Sequence, residues 1–447
     1  MGLGFYIVMA AQFFSALADN ALLICAIGIL QNLQAPPEYT PLLKTSFTIS
    51  YVVLAAFVGA FADSMPKGRV MFISNTIKIA GCAMMYVGIH PLAAYAMVGL
   101  GAAAYSPAKY GILTEMLPAS KLVKANGWIE GLTVGAIILG TLLGGAIIRP
   151  NLTLWILHLN LPIRFGSTMD TIAEVSILFV GTLYAIAALF NLYVPNTGVD
   201  HKPLKNSPIY LMREFAHCAK LLWRDKLGQI SLAVTTLFWG AGATLQFIVI
   251  DWAEQALGLN LTQATRLQGV VAVGVAVGAV AAAKILTLRR CASVVPIGIA
   301  MGLVVPLMVL LPYIPREHLS GIGLNLLGHH LHFAFHLRMM AVMAMLILLG
   351  AMSGFFVVPM NALLQYRGHV LMGAGHSIAV QNFNENLSIL IMTILYALLV
   401  WAGLSVNVVI VIFGLFVAST MYMVKLRLAA NQREFDSVMQ MEKVPHP

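Results

Sequence analysis

PNTGVDHKPLKNSPIYLMREFAHCAKLLWRDK, residues 195–226, is basic, carries three prolines and separates two long tracts of apolar sequence. Proline lacks the N–H that a helix interior needs and biases the residue before it away from helical backbone. The run therefore interrupts the chain, and it is read as a linker, 195–228, between two halves. Outward from it, apolar stretches of about 20 residues or more recur on both sides, each long enough to cross a hydrocarbon core about 30 Å thick.

Composition agrees with that reading. Of the 447 residues, 60% are hydrophobic and 10% charged, against about 25% charged in soluble domains, and the mean hydropathy is +0.87. The expected architecture is an all-α membrane protein with twelve transmembrane helices. The spans are placed at 5–32, 42–62, 70–89, 92–113, 123–148 and 172–194 before the linker. Those after it are placed at 229–250, 267–286, 292–313, 339–362, 373–400 and 403–425. The start MGLGFYIVMA has no basic n-region, so the first segment is expected to stay as a helix.

An even number of spans puts both termini on one side. With the termini inside, 17 of the 26 Lys and Arg residues fall in inner segments and six in outer ones, Lys44, Arg149, Arg164, Arg266, Arg316 and Arg338. That bias orients the chain with both termini cytoplasmic. The net charge of +9 is spread over short loops, so it reports topology and argues against nucleic acid as a partner. Cys25, Cys82, Cys218 and Cys291 lie in apolar or inner segments and are expected as reduced thiols.

The halves echo each other. GAAAYSPAKYGIL (101–113) can be laid over SGFFVVPMNALLQ (353–365), pairing Pro107 with Pro359 and Lys109 with Asn361. ANGWIEGLT (125–133) lies over VQNFNENLS (380–388), pairing Glu130 with Glu385, and FFSALADNAL (13–22) parallels LFWGAGATLQ (237–246). Repeats in the same order are a mark of transporters. They define an N-terminal six-helix bundle (1–194), the linker, a C-terminal six-helix bundle (229–426) and a cytoplasmic tail (427–447), with pseudo-symmetric bundles.

The loop GAFADSMPKGRVM (59–71) joins glycines, an aspartate and a Lys-Gly-Arg cluster. It resembles the signature loop G-x-x-x-D-R/K-x-G-R of the major facilitator superfamily, with two extra residues between Asp63 and Gly68. Gly59, Asp63, Lys67, Gly68 and Arg69 are candidates for conformational gating, because a carboxylate can pair with neighbouring helix ends in one state and not the other. Topogenic charge explains Lys67 and Arg69 equally well, but not the glycines or Asp63.

Charge inside a span costs at least about 2.5–3.5 kcal/mol unless it is paired or wet. The intramembrane ionisable set is Asp19, Lys78, Lys109, Glu130 and Glu385, joined by Asn20, Gln381, Asn382, Asn384 and Asn386. Asp19 lies midway along its span and needs a cation, a polar substrate or a proton. Snorkelling is the simple explanation for Lys78. It suits Lys109 less, since Pro107 frees a backbone carbonyl and the surrounding small residues leave room for a cavity. QNFNEN (381–386) has to line a polar interior. Asp251 and Glu254 read as solvated helix ends.

Five histidines, His318, His329, His330, His332 and His336, crowd the outer loop before span ten. His332 and His336 would suit a metal on a helix, but an amphipathic interfacial segment fits their company better, and no metal or other cofactor is expected. No Walker-type motif and no His-x4-Asp pair occurs, so an enzyme is not expected.

With AQFFSALADNALL, YSPAKYGIL, SKLVKANGWIEG, LFWGAGATLQF, GFFVVPMNALLQ and SIAVQNFNEN in view, the chain resembles the lysophospholipid transporter (LplT) family of Gram-negative inner membranes, a branch of the major facilitator superfamily. The likeness runs through nearly every span. It implies a flippase that moves lysophosphatidylethanolamine and lysophosphatidylglycerol from the outer to the inner leaflet; a monomer is expected. There an acyltransferase/acyl-acyl-carrier-protein synthetase, encoded separately, re-esterifies them. The polar family set falls on Asp19, Asn20, Lys109, Glu130 and Glu385. Gln246 stands where relatives carry arginine, and the histidine-containing loop and the 150–171 loop are longer.

Such a substrate has a phosphodiester, an ammonium or glycerol, and one acyl tail. Lys109 is expected at the phosphate, with Asp19 or Glu385 at the amine. Gln246 and Asn382 complete the candidate substrate-binding set. The alternative is a proton-coupled exporter of amphipathic drugs, with Asp19 and Glu385 carrying protons.

Overall fold

The computed structural model describes residues 2–36, 39–148, 171–205, 207–259, 261–315, 318–326 and 329–434. Residues 150–170 of the extended loop, Arg149, Arg164, Arg316, Glu317 and the tail from 435 onward lie outside the described residues.

The first half comprises α1 (Leu3–Asn32), α2 (Tyr39–Val53), α3 (Ala55–Asp63), α4 (Lys67–Tyr86), α5 (Pro91–Met116), α6 (Ala119–Ile147) and α7 (Thr171–Leu192). The linker carries α8 (Pro208–Arg224). After it come α9 (Gly228–Leu257), α10 (Leu261–Ile285), α11 (Val295–Val304), α12 (Leu337–Met372), α13 (Ala374–Trp401) and α14 (Val406–Glu434). Nine helices among the described residues are long and apolar enough to cross a membrane, counting α11 with its 3-10 flanks as one, and the pair α2–α3, bent by 63°, adds a tenth. α4 and α5 have 20 and 26 residues, enough to cross at 1.5 Å per residue. Counted with the others, they make the helices consistent with the twelve expected spans.

Prolines shape several spans as the sequence suggests. Pro107 lies inside α5 and Pro359 inside α12, so the repeated proline is a helix-interior feature in both halves. α11 passes into 3-10 turns at Leu288–Val294 and Val305–Tyr313, with Pro296 and Pro306 at their borders removing helical donors.

The chain forms two compact units. One is Met1–Leu232 with Asn361–Leu387, so it takes in the ends of α12 and α13 that flank Gly373. The other is Ala233–Met360 with Ser388–Val444. In the first unit, the core runs from Leu17, Ala21 and Cys25 of α1 through Cys82 of α4 and Tyr95 of α5 to Ile177 and Tyr184 of α7. Hydrocarbon gives helices no hydrophobic reason to associate, so close backbone approach through small residues has to hold them together. Gly140 and Gly144 of α6 supply it: a Cβ there would stand 2.6 Å from the Leu17 carbonyl and 2.8 Å from that of Ala21. In the second unit Gly274 and Gly278 of α10 meet Gly350 and Gly354 of α12 so closely that no side chain fits between.

The linker is partly helical. Pro208 occupies the first turn of α8 and the Ser207 side chain accepts a hydrogen bond from the Tyr210 N–H, the expected N-terminal arrangement. α8 buries Leu211, Cys218 and Leu222, the last two against Leu232, Leu364, Met372 and Val380. Burial, with Glu214 adding to it, pushes the Cys218 thiol up to about 11. All four cysteines are free and buried. Beyond α8, Arg367 of α12 donates to both Asp225 oxygens, at 3.0 and 2.5 Å, and the Gly228 N–H donates at 2.7 Å. Burial pushes the Asp225 carboxyl up, but the hydrogen bonds from Arg367 and Gly228 outweigh it and hold it below the ordinary carboxylate range.

One stretch departs from the helical pattern. The histidine-rich segment, expected as an amphipathic interfacial segment, forms an antiparallel hairpin of β1 (His318–Leu326) and β2 (His329–His336), with His318 opposite His336. At about 3.3 Å per residue, the backbones of His332 and His336 stand about 13 Å apart, which removes the one-turn helical spacing that suits a metal.

Two outcomes test these contacts. Gly144→Val should lower the unfolding temperature in detergent by several degrees, an overpacking cost of about 1–3 kcal/mol, whereas Gly145→Val, with open space beside it, should not. Asp225→Asn should cost about 1–2 kcal/mol at pH 7. Because the folded pKa is depressed, that stabilisation is present above the unfolded value of about 4. Unfolding curves of wild type and variant should therefore converge as pH falls through the folded pKa.

Candidate functional site

Three polar groups are built into the first unit. The innermost centres on Asp19 of α1. Lys78 of α4 donates to both Asp19 oxygens at 2.9 Å and to Ser15 Oγ at 3.0 Å, and the Tyr184 hydroxyl of α7 donates to Asp19 Oδ1 at 2.7 Å. Ser15 in turn donates to Asn75 Oδ1, and Lys78 Nζ stands over the Tyr105 and Tyr184 rings at 5.1 and 5.5 Å. Lys78 is 1% exposed, so it does not snorkel as its position suggests; it is the cation that Asp19 requires. Asn20 turns its amide back to the Ala16 carbonyl of its own helix.

A second group joins α5, α6, α12 and α13. Asn361 Nδ2 donates to Glu130 Oε1 at 3.3 Å. Gln381 Nε2 donates both to Asn361 Oδ1 at 3.1 Å and to Glu385 Oε1 at 2.8 Å. Asn382 donates to Ser106 Oγ at 2.9 Å, and Asn126 and Gln365 exchange two bonds of 2.9 Å. The carboxylates are thus linked by amides that donate outward to each of them. Lys109 is half-buried and places its ammonium 4.1 Å from the centre of the Tyr110 ring. Among the described residues no carboxylate lies within 4 Å of it. Glu130, Lys78, Asp19 and Glu385 are the charged groups near enough to act on it, so the expected Lys109, Glu130 and Glu385 share one electrostatic neighbourhood with the Asp19 pair.

The third group lies at the α3–α4 junction. Asp63 accepts from the N–H groups of Gly375 and His376 at 2.8 and 3.1 Å and meets His376 Nδ1 at 2.6 Å. It therefore sits at the start of α13, where partial positive charge favours a carboxylate. Lys67 pairs with Asp63 at 2.7 Å and Glu115 at 3.3 Å and donates to the Ala62 carbonyl. The Lys202 N–H donates to the Asp63 carbonyl, and Thr197 donates to Glu115. Gly59 lets α3 approach α13: a Cβ there would lie 2.9 Å from that of Ala379. Gly68 does the same beneath the Asn191 carbonyl. Arg69 is exposed and stands apart from this cluster.

In the second unit, Gln246 accepts at its backbone oxygen from Gln268. Asp251, expected as a solvated end, instead accepts from the Tyr396 hydroxyl. Several partners have no clear mark in the sequence. Asn361 is marked only as the echo of Lys109, and the position of Lys78 suits snorkelling as well as burial. His376, Glu115 and Tyr184 carry no local pattern, since residues far apart in the chain bring them to their partners.

The profile of the Major Facilitator Superfamily matches residues 8–380. Lysophospholipid transporter LplT of Pectobacterium carotovorum is 40% identical over 401 residues, 89% of this chain and 87% of that protein. Its namesake in Yersinia enterocolitica is 39% identical over 405 residues, covering 90% and 89%. The chain belongs to the LplT family of the Major Facilitator Superfamily. Solved structures of low identity support the fold of this LplT-family chain. A bacterial homologue of the iron transporter ferroportin in an outward-facing state superposes with a TM-score of 0.68 at 11% identity, covering 97% of this chain and all of that one. The superfamily transporter FucP in its outward conformation gives 0.65 at 14%, covering 95% and 98%.

Removing one member of a buried pair strands the other. Lys78→Met should destabilise the protein by about 3 kcal/mol, and adding Asp19→Leu should recover part of that loss. Thermal unfolding of the single and double variants measures the coupling.

Proposed function

We propose that this chain carries lysophospholipids across the bacterial inner membrane by alternating access between two six-helix bundles, 1–194 and 229–426. The observation that carries the proposal is the state of Lys109: a half-buried cation with a ring beside it but, among the described residues, no carboxylate at pairing distance. It stands in one neighbourhood with Glu130 and Glu385, whose oxygens accept from the amides of Asn361 and Gln381, while Asp19 is paired with Lys78. A phosphodiester supplies the anion that Lys109 lacks. The names of the relatives support the same substrate class.

Lys109 then meets the phosphate and Glu385 the amine, since Asp19 is engaged by Lys78. Asn382, Glu130, Asn20 and Gln246 complete the set, with Gln246 holding the position where arginine is expected in relatives. The cluster of Gly59, Asp63, Lys67 and Gly68 locks one state, because breaking it strands Asp63 away from the start of α13. Transport runs from the outer to the inner leaflet, both termini are cytoplasmic and the chain acts as a monomer. A separately encoded acyltransferase consumes the product, and the chain itself is no enzyme.

Reconstituted liposomes test this. Labelled lysophosphatidylethanolamine and lysophosphatidylglycerol should cross faster than in empty vesicles, and Lys109→Ala should slow both at least tenfold. Loss of ethanolamine transport alone would remove the phosphate role from Lys109. A cationic dye pumped under a pH gradient, with no lipid movement, would replace the proposal with drug export.

A further inference from the structure

The amide chain between Glu130 and Glu385 ends in an atom without a partner. Gln381 is 4% exposed, and its Oε1 has no hydrogen-bond partner among the described residues although it is buried. The orientation of the amide follows from its neighbours. Its nitrogen faces Glu385 Oε1 at 2.8 Å and Asn361 Oδ1 at 3.1 Å. Asn361 Oδ1 is itself an acceptor, because Asn361 Nδ2 is directed at Glu130. Turning the Gln381 amide over would set its oxygen against a carboxylate and a carbonyl, three acceptors with no hydrogen among them. The nitrogen therefore stays where it is, and the oxygen is left as a buried acceptor beside the Glu385 carboxylate.

Buried acceptors are ordinarily satisfied, and an orphan at a polar site points to a donor that arrives from outside. The donor has to suit two acceptors on adjacent side chains, one of them charged. A primary ammonium has three N–H groups in tetrahedral directions and can give one to each. A trimethylammonium has the same charge and none of the donors.

We infer that Gln381 is the head-group specificity determinant, its Oε1 accepting an N–H from the ammonium of an ethanolamine head group while Glu385 balances the charge. This rests on the proposed lysophospholipid transport and assigns a role within it. It separates two tasks that a carboxylate alone cannot separate. Glu385 attracts any cation, whereas Gln381 distinguishes a cation that can donate from one that cannot, and a polar group left unpaired by the wrong ligand is a strong source of rejection. Asn361 positions Gln381, since its oxygen holds the Gln381 nitrogen and its nitrogen is anchored on Glu130.

The test uses the full-length protein in liposomes with labelled lysophosphatidylethanolamine and its N-methyl, N,N-dimethyl and N,N,N-trimethyl counterparts at equal acyl chain. Wild type should lose apparent affinity progressively along the series, by at least tenfold from the primary to the quaternary amine. Gln381→Met, close in length but without the amide, should bring the primary amine down towards the quaternary level, so that the ratio falls to about one. Should that variant not yield folded protein, Gln381→Asn keeps the amide and withdraws it by one methylene, and it must reduce the ratio in the same direction. Equal transport of all four head groups by wild type overturns the inference and leaves lysophospholipid transport standing. So does an equal loss for all four in the variants, which marks a structural role. Failure of wild type to move any of them overturns both together.

Discussion

A fully buried ammonium at membrane depth costs at least about 2.5–3.5 kcal/mol unless it is paired, and the interior of the first unit is arranged around the pairing of Lys78. Lys78 is almost fully buried and has two oxygens of Asp19 at 2.9 Å. To bring them together, α1 and α4 have to lie side by side with α7, whose Tyr184 hydroxyl takes a remaining lone pair of Asp19. The small residues Ala18, Ala21 and Gly144 then let α1 and α6 approach within backbone contact. Charge pairing and close packing are thus one requirement met twice: a looser contact would admit a gap, and a gap would leave the pair poorly held.

The four carboxylates of these groups are partnered in different ways. Asp19 has an ammonium. Asp63 has the first N–H groups of α13, a histidine nitrogen and Lys67. Glu130 and Glu385 share a pair of amides, Asn361 and Gln381. These differ in permanence. A full ion pair resists separation, whereas a helix start can move away from a carboxylate as a rigid body. Amide bonds leave the carboxylate its charge and so its attraction for a ligand. The differences match the parts proposed for them: scaffold, lock and head-group contact.

Much of the architecture is legible in the sequence. The spans, the linker and the paired prolines at 107 and 359 follow from hydropathy and from the chemistry of proline, which act over a few residues at a time. The same holds for the candidates Asp19, Lys109, Glu130 and Glu385, each conspicuous because a charge among apolar neighbours needs an explanation. Lys78 shows the limit. A lysine in a span can reach an interface or a buried partner, and only the depth and neighbours of α4 decide between the two. The histidine-rich loop shows another limit, since period-four spacing in an amphipathic stretch suits a helix while the chain forms a hairpin.

The sequence by itself determined that the chain crosses a membrane many times and carries ionisable groups among apolar neighbours, because hydropathy and charge cost are local properties. The tertiary structure decided which of those groups are spoken for. It joined Asp19 to Lys78, Asp63 to the start of α13, and Glu130 to Glu385 through two amides, leaving, among the described residues, Lys109 beside an aromatic ring with no carboxylate at pairing distance and Gln381 Oε1 with no donor. Those are relations between residues separated by tens to hundreds of positions, set by helix packing, and no local pattern encodes them.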